Sequence, residues 1–191
     1  MGKLLGTMIF LALLWPSAVV AELRVDSKTE YYDTRGTTVD DLQRSKRNHG
    51  PFWLASLRRT DAMTSNNVEW GYRLSETEEG CRLDRPEVIV HTLTTLPRWL
   101  DKKDAPRALQ KTWDSYLAAL KVHEGGHAVI ALQHARKVEA MLKVLPPMDS
   151  CDDLDRQAKK RGNSILEDED DAQEAYDART NYGETQGVRL H

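Results

Sequence analysis

Hydrophobic residues follow two different spacings along this chain, and the change comes near Pro106. Residues 22–99 read as β-rich. In "VEWGYRL", Val68, Trp70 and Tyr72 alternate onto one face, a strand pattern. The polar "SETEEG" that follows predicts a turn, and "CRLDRPEVIVHTLTTLP" supplies a hairpin partner over Glu87 to Thr94. Upstream, "ELRVDSKTEYYD" predicts another short strand. "TTVDDLQRSKRN" predicts a helix opened by Thr37 or Thr38 and closed before Gly50-Pro51.

From Pro106 the period becomes helical. Trp113, Tyr116, Leu117, Leu120, His123, His127, Ile130, Ala131, Val138, Met141, Leu142 and Leu145 fall within about 140° of arc at 100° per residue. Pro146-Pro147 stop this helix. It approaches 60 Å at about 1.5 Å per residue, and Gly125-Gly126 is the expected place for a bend. A second helix begins near Ser150, with Asp152 and Asp153 in its first turn. Its apolar stripe is thinner: Cys151, Leu154, Ala158, Ile165, Ala172 and Tyr176. "EDEDD" from Glu167 reads as a solvated face, and the tail "DARTNYGETQGVRLH" reads as loop. The fold class is α+β, a small N-terminal antiparallel sheet packed against two long C-terminal helices.

Composition adds a destination. Met1 to Ala21 carries Lys3, an apolar run from Leu4 to Trp15, and small residues at Val19 and Ala21, which predicts a secretory signal peptide. The run falls short of the roughly 20 residues a membrane span needs. Cleavage after Ala21 leaves 191 − 21 = 170 residues as a single domain, 22–191. Losing Lys3 moves the formal charge from −3 to −4, with no footprint for nucleic acid or an anionic membrane. No stable membrane insertion is expected after signal removal. Location in the periplasm or outside the cell, with an even cysteine count, predicts one disulfide between Cys81 and Cys151.

The chemistry concentrates in "LKVHEGGHAVIA". His123 and His127, four residues apart, project from one side of a helix and can meet one metal ion. Glu124 lies about 100° round, where a general base for an activated water must stand. Zinc suits two imidazoles and an oxygen ligand, with one position left open. Gly125-Gly126 either admits a close neighbour or kinks the helix. His134 lies two turns beyond His127, so it stands off the site. His49, His91 and His191, on a loop, a strand and the terminus, are poorer candidates. A return helix from Cys151 to Tyr176 spans about 39 Å, against about 33 Å from Leu145 back to His123. That brings Asp177 and Tyr182 to the level of His123. Asp177 is preferred as third ligand, with Tyr182 and Glu174 as alternatives.

These residues resemble a known family, the bacterial proteins grouped as domain of unknown function 922 (DUF922) and described as predicted secreted zinc-dependent proteases. The matching pieces are "YYDTRGTT", "CRLDRPEVIVHTLTTLPRW", "ALKVHEGGHAVIA", "LPPMDSC" and "AYDARTNYGETQG". The resemblance implies secretion, zinc and peptide hydrolysis. The combined expectation is a zincin-like metallopeptidase acting on a peptide or protein substrate. His123, His127 and Asp177 hold zinc, Glu124 is the base, and strand Glu87 to Thr94 holds the extended substrate. The rivals are a non-catalytic envelope protein with a structural or degenerate zinc site, and a metal-dependent cell-wall hydrolase.

Overall fold

The computed structural model describes residues 22–54 and 57–191, and the expected signal peptide lies outside them. The alternating segment extends beyond its legible core. Strand β4 (Met63–Thr77) turns tightly into β5 (Gly80–Trp99), and the two pair antiparallel. The other edge of β5 takes β1 (Glu22–Thr34) in parallel, from Glu22 opposite Glu87 to Thr34 opposite Trp99. The sheet is therefore mixed, in the order β1-β5-β4, and not antiparallel as the sequence suggests. A parallel pair needs a crossover of about a dozen residues or more. Residues 35–79 provide it: helix α1 (Val39–His49), a ribbon of β2 (Phe52–Trp53) and β3 (Arg58–Arg59), and then β4 itself, which returns the chain to the start of β5. Thr38 caps α1 by accepting the Asp41 backbone N–H.

This topology corrects a second expectation. Both edges of β5 are occupied, so Glu87 to Thr94 has no free backbone donors and acceptors to offer a peptide. Within this three-stranded sheet the open edges belong to β1 and β4.

Helices α2 (Arg107–Val144) and α3 (Cys151–Thr180) form a layer over one sheet face. α2 stays helical through Gly125 and Gly126. Two apolar clusters bury its ends. One joins Val88 and Val90 of β5 to Ala131, Ala135, Val138 and Leu142 of α2 and to Leu154 and Ala158 of α3. The other gathers Leu42, Leu96, Trp99, Trp113, Tyr116, Leu120 and Leu190. α3 outlasts its apolar stripe by one turn, so Asp177–Thr180 is helical and not loop. Thr180 Oγ1 donates to the Tyr176 carbonyl at 2.8 Å, and Asn181 ends the helix in the left-handed region. A turn of 3-10 helix, Glu184–Gln186, follows. No helix among the described residues is long and apolar enough to cross a membrane.

The link between α2 and α3 is fastened to the sheet. Met148 and Cys81 exchange backbone hydrogen bonds at 2.7 and 2.9 Å, and Cys81 and Cys151 form a disulfide with 5.0 Å between their Cα atoms. The bridge encloses a sequence separation of 70 residues, all of α2 among them. Replacing both cysteines by serine should lower unfolding free energy by about 4 kcal/mol, as closure entropy predicts for such a loop. Urea titration of oxidised wild type against the double variant measures this, and coincident midpoints would refute it.

Candidate metal centre

The last turn of α3 runs beside the middle of α2. There the Asp177 Oδ1 lies 3.3 Å from His123 Nε2 and 3.1 Å from His127 Nε2. One ligand atom from each of the three lies within 4.8 Å of the others, a group that could hold a metal ion. His123 is buried; His127 and Asp177 are partly so.

The opposite ring nitrogens are committed elsewhere. His127 Nδ1 faces Gln173 Oε1 at 2.7 Å, and His123 Nδ1 faces Gln186 Oε1 at 3.0 Å. An amide oxygen only accepts, so each Nδ1 carries the proton. A neutral imidazole then presents its Nε2 lone pair to the centre. Two such lone pairs and a carboxylate cannot share this space without positive charge between them. In the protein free of metal, a proton held at His127 meets that need. Burial alone would lower the His127 pKa, but the hydrogen bonds to Asp177 and Gln173 and the charges of Asp177 and Glu124 outweigh it and raise it. Burial alone would raise that of Asp177. The bonds from both imidazoles reverse this and hold the carboxyl well below the usual range.

Tyr176 packs the site from α3. Its ring stacks on His123 at 5.2 Å between centroids and meets His127 edge-on at 5.0 Å. Its hydroxyl donates to the His123 carbonyl at 3.1 Å and accepts from Gln186 Nε2 at 3.0 Å. From the sheet, Thr64 Oγ1 donates to the Glu124 carbonyl at 3.2 Å, and Asn66 Nδ2 to that of His127 at 3.3 Å. Glu124 itself is 4% exposed. Burial raises its pKa, against the lowering effects of Thr64, His127 and His123.

Each remaining candidate has a definite place. Tyr182 turns its ring toward Trp53, 6.4 Å between centroids, and is 60% exposed. Glu174 is exposed. His134 is buried two turns away, with Nδ1 at 3.0 Å from the Ile130 carbonyl and Nε2 at 2.7 Å from Lys137 Nζ. His49 Nδ1 meets the Ser45 carbonyl, and His91 lies between Asp26 and Glu69 on the other sheet face. The "EDEDD" run is not wholly solvated, because Glu169 is buried. Gln173, Tyr176 and Gln186 gave no sequence signal as partners of the histidines. Their spacing from Asp177 would have been informative only with the end of α3 known.

The glycine pair separates into two cases. A Cβ on Gly126 would lie 2.1 Å from the Tyr176 hydroxyl, so the close neighbour is a phenol from α3. A Cβ on Gly125 would meet nothing within 4 Å. Gly183, at φ +84, lets the tail cross the His123 ring, where a Cβ would come within 3.0 Å of Cγ.

Residues 29–184 match the family model described as "Bacterial protein of unknown function (DUF922)", and the chain belongs to that family. No curated protein and no solved structure matches it significantly.

The two glycines should respond oppositely to alanine. Gly126→Ala displaces Tyr176 and should cost about 1–3 kcal/mol, as overpacking does. Gly125→Ala should stabilise by roughly 0.5–1 kcal/mol through helix propensity alone. Thermal unfolding of both variants checks the pair, and equal shifts would contradict the assignment.

Proposed function

We propose that this DUF922 member is an exported zinc-dependent metallopeptidase, built on a zincin-like helix, that hydrolyses peptide bonds in peptide or protein substrates. The observation that carries the reading is the convergence of two imidazole Nε2 atoms and one carboxylate oxygen, with both Nδ1 atoms already committed to glutamines. His123, His127 and Asp177 would hold the ion. Two nitrogens and an oxygen fit zinc, whose catalytic sites take three protein ligands and keep a fourth position open. Bound zinc supplies a Lewis acid that acidifies water and polarises a carbonyl.

Glu124 is the base, next to His123 on the same helix. Its carboxylate takes a proton from the attacking water and passes it to the departing amine nitrogen. Burial that favours the protonated form suits a group with both tasks. A structural zinc site has no need of such a carboxylate. The open edge of β4 is the sheet edge nearest the centre, since Thr64 and Asn66 touch the helix at Glu124 and His127. An extended substrate would pair there. Export agrees with the signal-like Met1–Ala21 and with a disulfide that persists in oxidising compartments.

Mature protein should carry about one zinc per chain, and His123→Ala, His127→Ala and Asp177→Ala should each lose most of it. Metal analysis after dialysis measures this. Full zinc occupancy in both histidine variants would remove the site. Glu124→Gln should keep zinc and fold but lower peptide hydrolysis by about two to four orders of magnitude. Undiminished turnover would mean that the base lies elsewhere.

A further inference from the structure

Within "EDEDD", Glu169 is the residue that turns inward, at 9% exposure, and the proposed chemistry gives it no task. It lies one helical turn before Gln173 and accepts that residue's Nε2–H at 2.8 Å. The same nitrogen reaches the His127 carbonyl at 3.2 Å, while Gln173 Oε1 faces His127 Nδ1 at 2.7 Å. Among the described residues, no ion pair engages Glu169 and no other hydrogen-bond donor to it is found.

An amide side chain has two ends of nearly equal shape and opposite hydrogen-bonding sense. Turned over, Gln173 would set its NH2 against His127 Nδ1. The ring would then carry its proton on Nε2, pointing into the centre, where a ligand must offer a lone pair. What forbids the turn is that two acceptor oxygens, one from the Glu169 carboxylate and one from the His127 carbonyl, meet the Gln173 nitrogen. Without Glu169 only the weaker contact at 3.2 Å, to the His127 carbonyl, opposes it. The corresponding amide at His123 is held differently. Gln186 Nε2 meets the Tyr176 hydroxyl, a group able to donate or accept, so Glu169 has no hold on that side.

We propose that Glu169 is a positioning residue of the metal centre, fixing the orientation of Gln173 and through it the tautomer in which His127 offers Nε2 to the metal. The proposal rests on the reading that His127 is a ligand. Its effect is specific to one of two histidines, which a general loss of packing would not reproduce.

The test uses full-length mature protein loaded with zinc. NMR follows solvent exchange of the His127 Nδ1–H proton, with the His123 Nδ1–H proton as internal reference. Competition with a chelator gives the zinc dissociation constant. Glu169→Ala should weaken zinc binding by about 10-fold, in the range found for outer partners of metal ligands. It should also speed exchange at His127 and leave His123 alone. Glu169→Gln keeps the shape and an acceptor oxygen but loses the charge, so it should give a smaller change, again confined to His127. Should the alanine variant fail to fold, the glutamine variant decides by that same selective change. A folded variant with unaltered zinc affinity and exchange would overturn the proposal, as would equal acceleration at both histidines. Zinc-loaded wild type with an indifferent Glu169 ends this proposal only. Wild type that takes up no divalent metal ends the metal reading and this proposal with it.

Discussion

Two imidazole lone pairs and a carboxylate oxygen, drawn together where α2 passes α3, impose a requirement for positive charge that the surrounding structure is arranged to keep. At an effective dielectric of about 20, charges about 4 Å apart interact by roughly 4 kcal/mol, so the ionic state of these groups cannot be neutral to the fold. Two devices hold them in place. Outer hydrogen bonds from the ring Nδ1 atoms to the amide oxygens of Gln173 and Gln186 turn both rings the same way. The disulfide and the Met148–Cys81 bridge fix where α3 starts, and its length then sets where Asp177 arrives.

The constraint is visible in how α2 is buried. Its two ends contribute apolar side chains to separate clusters, one around Trp113, Tyr116 and Leu120, the other from Ala131 onward. Between them the buried positions belong to His123 and Glu124. A polar stretch in the middle of a core helix costs stability unless each group is satisfied. Here the partners come from β4, α3 and the tail together, so the centre is also where these elements are joined.

Much of this was legible in the chain. The period of α2 showed the histidines on one face, and comparing the lengths of the two helices put Asp177 near their level, because both depend only on helix geometry. The starts of α1 and α3 were marked by Thr37 or Thr38 and by Ser150, and Thr38 and Ser150 cap their helices through the side chain. Other features had no local signal. β1 is largely exposed, so it lacks the alternation that would mark its face, and its parallel pairing depends on a long connection that returns through β4. The last turn of α3 carries "DART", with no apolar stripe, and is held by Thr180 and the Asn181 cap. Glu169 sits in a run of acids that reads as solvated, yet it is buried and accepts from Gln173, the residue that meets His127 of α2. The two glutamines could be assigned only once the rings they serve had been placed.

The glycine pair shows how a local weakness is held by tertiary contacts. Two glycines in a helix interior cost about 1 kcal/mol each relative to alanine. Around them, backbone carbonyls receive side-chain donors besides their helical partners: Tyr176 on His123, Thr64 on Glu124, and both Asn66 and Gln173 on His127. At a net worth of about 1 kcal/mol apiece, these four bonds more than offset the propensity loss. They come from both sides, the sheet and α3, so the turn is held against shift in either direction. Gly126 makes this possible by leaving room for the phenol that supplies one of them. The helix thus gives up intrinsic stability at the point where it gains external anchors, and those anchors are on the stretch that carries both histidines of the centre.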